Sequence, residues 1–565
     1  MSRLAIFASG FVDRWANLDP TDGALSGIAS TPPRLSDWSP EGRRAIEGAL
    51  RAELEDLARL GPLDAADERR RAAMADQLRA WVDSLAARDY TVVCEPGFLA
   101  PPLLNRLAIE SQPVADADAV AALILRLRAV PESASGYRRS LEAGLSGMSG
   151  GAARPLAERL AHNLRLGHFE HRRFTAVASR AAEAGAGSGA VAEAYAAAEA
   201  ADNAYVDLAR WLRSDYAPRT TTKTAVGPER YARHLRDYLG ESADPQELAA
   251  WGWEEVNRLD AELAATLERG WPGVGRAQVL AMLDDDPAQP SAANPNAFLA
   301  WITAVSARTR PLVEAKFEMP ATLGDPVHRL APPGSGFGGF YSPPNDDGHR
   351  PGTVTWNVPE GRIPLWRYQT VIHHEGLPGH HLEMGGARFL APSLNRFQSV
   401  LGKVEGHHEG WGLYAERVMD EVGAFEHPAD RVGFLAAQLF RAVRVVVDTG
   451  LHLGLRVPAG EPVHGGEAID ESVASDLLMQ RGLLETREAA RSEVLRYLGA
   501  PGQALAYKVG ERAWLQARVA VRAAAPGLSD RAFHTAALAL GPVPLHLLSD
   551  QAVAAVTEAE PHGSG

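Results

Sequence analysis

The stretch His373-His374-Glu375-Gly376-Leu377-Pro378-Gly379-His380-His381 holds four histidines and one glutamate within nine residues. A second group, Glu405-Gly406-His407-His408-Glu409, follows roughly 25 residues further on. Imidazoles together with one or two carboxylates are the usual ligands of a catalytic zinc ion. A further carboxylate beside the metal can take a proton from water during hydrolysis. The two stretches therefore predict a metal-dependent hydrolase.

The spacing of the first stretch departs from the standard H-E-x-x-H helix, in which two histidines lie one turn apart on one face. Here Pro378 occupies the position of the second histidine. In an unbroken helix, His380 would point about 240° around from His374, and His381 would lie about 10 Å further along the axis. Proline breaks the helical hydrogen-bond pattern, and the glycine after it tolerates the distortion. We interpret the stretch as a motif expanded by Pro-Gly, with His374 and His380 as ligands and Glu375 as base. His381 is the alternative ligand or a supporting group.

A third ligand is expected from a following helix. Glu405, Glu409 and Glu416 recur there at helical spacing, and the glycines Gly410 and Gly412 between them would let this helix closely approach the helix of the first stretch. We choose Glu409 as the ligand and keep Glu405 and Glu416 as alternatives. A stripe of carboxylates is also typical of a solvated helix face, and this interpretation stays open for Glu416.

Composition restricts the class of protein. The chain has 565 residues, a single cysteine (Cys94) and a net charge of -14. One cysteine permits no intrachain disulfide, predicts a buried thiol in a reducing compartment, and favours an open catalytic zinc site over a closed structural one. The negative charge argues against a nucleic-acid partner. No stretch approaches the roughly 18 apolar residues of a membrane span, and the apolar run at the N-terminus is short for a signal peptide. We therefore expect a cytoplasmic protein without a membrane partner, of open oligomeric state.

Apolar periodicity indicates a mostly α-helical fold. It predicts helices over 41–60, 64–88, 115–130, 163–184 and 190–213. Residues 318–365 are instead rich in proline, glycine and aromatic residues, and 352–358 is a β-type run, so a small β-sheet is expected near the active site. We predict a helical scaffold half over 1–275 and a catalytic half over 276–565, with a soft boundary in one continuous fold.

Five motifs together resemble one protein family over nearly the whole chain. They are His374–His381, Glu409–Glu416, Tyr341–Pro344 with Gly352 and Asn357, Arg444–His452, and Pro501–Gly510. The set resembles the DUF885 family (domain of unknown function 885), in the broad clan of H-E-x-x-H metallopeptidases. That family is similar in architecture to carboxypeptidase Taq, thimet-type oligopeptidases and angiotensin-converting enzyme. The resemblance implies a helical body split by a deep cleft, with the zinc helix on its floor.

Further candidates lie in the later motifs. His452, oriented by Asp448 four residues before it, would donate to a developing oxyanion; the alternative is a buried Asp–His pair that braces two helices. Tyr507 would offer a phenol to the same oxyanion. Candidates for substrate binding are Tyr341, Arg444, Gln503 and Lys508, with Arg444 or Lys508 holding a substrate carboxylate. Residues 334–344 are predicted as a lid, as an edge strand that pairs with peptide, or as an ordinary loop.

The combined prediction is a zinc metallopeptidase that cleaves short peptides, with carboxypeptidase- or dipeptidase-like action. One Zn²⁺ per chain is expected, with Mn²⁺ or Co²⁺ as alternatives. Two other functions stay open. One is a metal-dependent amidohydrolase acting on a non-peptide amide, and the other is a catalytically degenerate scaffold that binds peptide.

Overall fold

The computed structural model describes residues 1–146, 151–331, 339–390 and 394–558. The described chain is mostly helical with small sheets, as predicted. It divides into two compact units. The first comprises Met1–Leu63, Leu78–Val226 and Ser492–Pro501; the second comprises Asp64–Gln77, Gly227–Arg491 and Gly502–Gly565.

The helices of the N-terminal part follow the apolar periodicity of the sequence. They are α1 (Arg3–Leu18), α2 (Pro20–Leu25), α3 (Pro40–Ala58), α4 (Ala65–Ala86), α5 (Pro101–Glu110), α6 (Ala117–Leu145), α7 (Arg154–Arg165), α8 (Arg173–Glu183) and α9 (Ser188–Trp211). The helices predicted over 41–60, 64–88 and 190–213 are confirmed as α3, α4 and α9. The one predicted over 115–130 is longer, because α6 continues through Pro131.

The helix predicted over 163–184 is wrong as a single element. A π-helical turn (Leu166–Glu170) follows α7, and Arg172 then adopts φ 41°, which interrupts the helix before α8. Positive φ is uncommon for a residue with a side chain, so the apolar pattern gave no warning of this break.

The remaining elements, all but part of one helix in the second unit, are α10 (Pro228–Leu239), α11 (Pro245–Gly270), α12 (Arg276–Asp285), β1 (Ser291–Ala292), α13 (Pro295–Lys316), β2 (Val327–Leu330), β3 (Gly339–Ser342), β4 (Thr353–Trp356), β5 (Ile363–Pro364), α14 (Gln369–Glu375), α15 (Arg396–Val400), α16 (Glu405–Glu421), α17 (Pro428–Leu453), α18 (Glu471–Gln480), α19 (Arg487–Gly499), α20 (Ala506–Ala524), α21 (Asp530–Leu538) and α22 (Leu545–Glu558). The predicted halves meeting at residue 275 differ from this grouping, because α11 packs along α17: a Cβ on Gly252 would lie 2.9 Å from Val445 and Val446.

The larger of two small sheets lies in the proline- and glycine-rich region 318–365, as predicted, whereas the smaller one pairs a strand of that region with a strand before it. In the larger one, β4 lies in the centre, parallel to β2 and antiparallel to β3, so β3 is an edge strand. The smaller one pairs β1 with β5 antiparallel. The glycine-rich segment 334–338, part of the predicted lid, lies outside the described residues.

An apolar cluster fixes the helix that carries the first histidine stretch. Phe298 of α13, Trp356 of β4, Ile363 of β5 and Ile372 of α14 are buried together. Burying each such side chain stabilises the folded state by roughly 1.5–3 kcal/mol. α14 is thereby held at the sheet by Ile372, one and two residues before His373 and His374. None of the described helices is long and apolar enough to cross a membrane.

Candidate metal centre

Three of the predicted side chains meet in the second unit. His374 lies in the last turn of α14, Glu409 lies on α16, and His380 follows the end of α14. One ligand atom from each lies within 4.8 Å of the others. His374 Nε2 is 3.1 Å and His380 Nε2 is 3.6 Å from Glu409 Oε2. Within the described ranges, this is the one group of His, Cys, Asp or Glu that could hold a metal ion.

The donor set fits zinc. Nitrogen and oxygen ligands at the usual zinc distances, arranged tetrahedrally, lie roughly 3.3–3.5 Å from one another. The separations of 3.1 and 3.6 Å at Glu409 are close to that value. Two imidazoles and one carboxylate leave a fourth position for water or substrate, as in catalytic zinc sites.

The Pro-Gly expansion ends the helix instead of bulging from it. α14 stops at Glu375, the peptide bond between Leu377 and Pro378 is cis, and His380 lies beyond the break. A Cβ on Gly379 would lie 1.9 Å from the carbonyl oxygen of His374, so only glycine fits there. The His380 ring thereby comes within 4.7 Å of the His374 ring, centroid to centroid, at 83°.

Glu416 orients His374, the first candidate ligand. Its Oε1 lies 2.9 Å from His374 Nδ1, opposite the nitrogen that faces Glu409, and Thr370 Oγ1 donates to its Oε2 at 2.5 Å. The side chain is fully buried, and Arg441 lies 3.9 Å away. Neither the solvated face nor the ligand role proposed for Glu416 matches this position. A carboxylate on the second nitrogen fixes the ring of a metal-binding histidine.

The centre carries an electrostatic preference for positive charge. Burial lowers the pKa of His374, but hydrogen bonds to Glu409 and Glu416 outweigh it and raise that pKa to about 10. For the acid Glu409, burial acts in the opposite direction and raises the pKa. The hydrogen bonds from His374 and His380 outweigh burial and hold the pKa of Glu409 well below its usual range. The same field that retains a proton here favours a divalent cation in its place.

Glu375 is the carboxylate available for chemistry. It directly follows His374 and is buried, and its carboxylate makes no hydrogen bond or ion pair with any of the described residues. Burial raises its pKa, an effect that the charges of His374 and His380 partly oppose. A carboxylate with a raised pKa and an open hydrogen-bonding capacity suits a general base.

His381 does not join the centre. Its Nε2 donates to the carbonyl oxygen of Gly324 at 2.8 Å, so its Nδ1 accepts from the Tyr341 hydroxyl at 2.9 Å. Both nitrogens are therefore engaged, and burial lowers the pKa of the ring, consistent with a neutral imidazole. The Tyr341 ring also stacks on His380, with centroids 6.4 Å apart. Tyr341, on the edge strand β3, thus lies beside the centre, and its role in substrate binding stays a prediction.

The alternative ligand Glu405 is held by another predicted site residue. Gln503 Nε2 donates to Glu405 Oε1 at 2.9 Å. Burial and the charge of Glu409 raise the pKa of Glu405. Glu405 lies outside the group of three ligands, and the amide of Gln503, which is buried, binds this carboxylate.

Tyr507 and Arg444 approach the centre from α20 and α17. The Tyr507 ring stacks on His374, with centroids 6.2 Å apart and an angle of 17° between the planes. The Arg444 guanidinium carbon lies 5.0 Å from the centroid of the Tyr507 ring. Tyr507 thus lies beside a candidate ligand and Arg444 lies beside Tyr507, and their roles in catalysis and substrate binding stay predictions.

Lys508 does not fit the predicted role in substrate binding. It is buried, and its Nζ contacts Gln438 Oε1 at 2.6 Å, Glu255 Oε1 at 3.0 Å, and Glu511. An ammonium group has three N–H donors, so these three partners leave none for a substrate carboxylate.

The contacts of His452 match the alternative in which a buried Asp–His pair braces two helices. Its Nε2 is 3.6 Å from Asp448 Oδ1, and its ring stacks on Tyr231 at 5.4 Å. Asp448 in turn accepts from the backbone N–H of Gly502. These contacts join α17 to α10 and to the segment before α20, which is a structural role.

Glu383 is a buried site residue that the sequence reasoning missed. It lies in the π-helical turn His381–Gly385 and is 2.9 Å from His408 Nδ1, while His408 Nε2 donates to the Gly402 carbonyl. Burial lowers the pKa of His408, but Glu383 outweighs it and raises that pKa to about 9, so the pair is ionic. The pair ties the segment after His380 to α16. The clue in the sequence was a glutamate three positions after His380.

Comparisons with known proteins place the fold. A solved structure from Colwellia psychrerythraea, described as a putative lipoprotein, matches with a TM-score of 0.82 at 20% identity over 99% of this chain and 100% of that chain. Another from Shewanella oneidensis, described as a putative lipoprotein of unknown function, matches with a TM-score of 0.71 at 16% identity over 97% and 99%. At these identities the likeness shows the fold alone. No curated relative matches the chain.

The family is shown by the sequence itself. The profile described as a bacterial protein of unknown function, DUF885, matches residues 20–552. This span includes every residue of the candidate metal centre. The chain therefore belongs to the DUF885 family.

Proposed function

We propose that the protein is a zinc-dependent hydrolase, and specifically a metallopeptidase. The observation that carries the proposal is the meeting of His374, His380 and Glu409, with ligand atoms within 4.8 Å of one another, beside a Glu375 carboxylate that has no partner among the described residues. A zinc ion held by these three residues would polarise a scissile carbonyl and lower the pKa of water.

The other residues around the centre have complementary tasks. Glu375 accepts the proton of the attacking water and passes it to the leaving nitrogen. Tyr507, stacked on His374, donates its phenolic hydrogen to the developing oxyanion. Arg444, beside Tyr507, is the cation placed to hold a substrate carboxylate, the task that Lys508 cannot serve. With the architecture that the family resemblance implies, a deep cleft would favour short peptides and exopeptidase action.

Metal content and turnover test the proposal together. Wild type is expected to hold about one zinc per chain, and the double variant His374→Ala/His380→Ala to hold none. Glu375→Gln is expected to retain zinc but to lose about 10²- to 10⁴-fold in kcat on a peptide library. Glu405→Gln, on the same helix as Glu409 but outside the group, is the matched control and should retain zinc. A folded wild type that takes up no zinc, or undiminished turnover by Glu375→Gln, would contradict the proposal.

The same assays separate the two other functions. Turnover of non-peptide amides without cleavage of any peptide would indicate an amidohydrolase. Retained zinc without turnover, and peptide binding that Glu375→Gln leaves unchanged, would indicate a binding scaffold.

The compartment is a separate proposal. The sequence favours the cytoplasm, whereas the two solved neighbours carry descriptions as lipoproteins, which would be membrane-anchored. Fractionation of cells that express the native gene, followed by immunoblotting, distinguishes the two locations.

A further inference from the structure

We infer that a groove between α11 and α20 binds a small amphiphilic carboxylate, meaning a monocarboxylate with an aromatic or aliphatic body. The groove lies in the second unit, its lining residues are separate from the metal centre, and the inference does not depend on zinc chemistry. Its volume is about 510 Å³. Ligand sites for small molecules typically occupy about 300–1,000 Å³.

The groove has two walls formed by helical stripes. Trp251 and Arg258 are on α11, two turns apart. Arg512, Leu515 and Val519 are on α20 at helical spacing. Val519 is 66% exposed, which is unusual for a large apolar residue of this protein. An apolar ligand body laid along this wall would remove that surface from water.

Arg512 supplies a cation that the protein itself does not neutralise by contact. Its guanidinium carbon lies 4.9 Å from the centroid of the Trp251 ring, and no described carboxylate lies within ion-pair distance of it. Glu241 acts on it only from further away. The other arginines of α20 differ: Arg518 pairs with Glu421 and Asp530, and Arg522 pairs with Asp530.

The acids that line the groove are already neutralised. Glu255 pairs with Arg258 at 2.7 Å and with Lys508 at 3.0 Å. Glu511 pairs with Arg417 at 2.6 Å and also with Lys508. The lining thus holds three arginines against two glutamates, and Lys508 lies beneath both acids.

A surplus of positive charge in one groove is notable in a chain whose net charge is -14. A guanidinium stacked on an indole binds a carboxylate through paired N–H donors while the ring presents an apolar face. The juxtaposition of Arg512, Trp251 and Val519 therefore selects a ligand with both an anionic head and an apolar body.

Calorimetric titration with 2-naphthoate tests the inference, with the neutral 2-naphthamide as comparison. The titration uses the full chain carrying His374→Ala/His380→Ala in the presence of EDTA, so that a carboxylate cannot report on the metal centre. We expect naphthoate to bind with a Kd in the millimolar range or below, and naphthamide to bind at least about tenfold more weakly. Arg512→Ala and the exposed substitution Val519→Glu should each weaken naphthoate binding by about tenfold or more.

Arg522→Ala, which removes an arginine from the same helix outside the groove, is the matched control and should bind as the parent does. Circular dichroism melting establishes that each variant folds, and Arg512→Lys keeps the charge if Arg512→Ala does not fold. The inference is overturned if the parent shows no binding at millimolar naphthoate. Equal binding of naphthamide, or equal binding by Arg512→Ala and the parent, would overturn it too.

Discussion

Glu416 contacts the Nδ1 side of His374, the first proposed zinc ligand, and a variant without Glu416 isolates the effect of this contact. Glu416→Ala leaves His374 Nδ1 without its carboxylate partner while His374, His380 and Glu409 stay in place. Loss of such a partner lowers metal affinity by roughly 10- to 100-fold. Competition with a chromogenic chelator measures the change. Glu421→Ala, at the exposed end of the same helix, should leave zinc affinity unaltered; an unaltered affinity in Glu416→Ala would remove Glu416 from the site.

The raised pKa of His374 predicts the proton balance of zinc binding. In the metal-free protein this pKa is about 10, above the usual 6.5, so the ring is still protonated at pH 8. Zinc requires a neutral imidazole, and binding at pH 8 should therefore release about one proton from His374. Affinity should rise with pH between 6 and 8. Calorimetry in buffers of different ionisation enthalpy counts the protons, and no release at pH 8 would contradict this prediction.

Residue type and spacing predicted which side chains meet at the candidate metal centre, but they did not predict the individual contacts of the other site residues. His374, Glu375, His380 and Glu409 could be chosen because few arrangements of histidine and carboxylate serve zinc. The burial of Lys508 could not be predicted, because two of its three acceptors, Gln438 and Glu255, come from parts of the chain distant in sequence.

Glycines decide how closely α16 approaches its neighbours. A Cβ on Gly412 would lie 2.5 Å from the His374 ring, and one on Gly410 would lie 2.3 Å from the backbone of Gly510 on α20. This confirms the prediction that small residues let the helix of Glu409 come close. The contacts thus bring Glu409 and Glu416 to the two sides of one imidazole.

Gly412→Ala should displace His374 and thereby weaken zinc binding. Alanine favours the helix more than glycine does, but the crowded ring must move, at a cost of about 1–3 kcal/mol. Zinc stoichiometry and the melting temperature report the two effects. Gly48→Ala in α3, where a Cβ meets nothing within 4 Å, is the control and should be neutral or stabilising. Full zinc occupancy with unchanged affinity in Gly412→Ala would contradict the prediction.

Element type could be predicted wherever one periodicity ran unbroken, as in α3, α4 and α9. The break between α7 and α8 could not, because it depends on the backbone of Arg172. A distortion at Pro378 was predicted, but the end of α14 at Glu375 was not, and the direction of the chain after it depends on the fit of Gly379 against His374.

At the scale of the whole molecule, we predict that substituting Lys508 changes the stability of the fold and not catalysis. Lys508→Met removes the cation that the buried Glu511 and the partly buried Glu255 share. A buried charge left without any partner costs roughly 3–5 kcal/mol of unfolding free energy, and because each acid keeps an arginine, the cost here should be smaller. We expect a lower denaturation midpoint and an unchanged kcat per folded, zinc-loaded molecule. A raised KM with unaltered stability would restore the predicted role in substrate binding.

The loss of stability in Lys508→Met should depend on pH, and it should be smaller in acid. Burial raises the pKa of Glu255, but Arg258 and Lys508 outweigh it and lower that pKa to about 2, from 4.5. A lowered pKa contributes stability that is complete above pH 4.5 and is lost as the pH falls towards 2. The difference between Lys508→Met and wild type should accordingly shrink below pH 4.5.

The grouping into units was beyond the reach of sequence reasoning. It follows from packing such as that of Gly252 on Val445, between residues almost 200 positions apart. The amino-acid composition does not indicate this grouping, because both units are built from the same kind of amphipathic helix.

The end of α14 between His374 and His380 has a consequence for chain topology. A standard motif would confine two ligands to one helical turn, so that an ion would add little to what the helix already fixes. Here the candidate ligands lie on either side of a break, and the third is 35 positions after the first. An ion bound to all three would close a loop across separate elements and restrict the unfolded chain, an entropic effect that grows with the length of the closed loop. The bound metal would then stabilise the folded state as well as take part in catalysis.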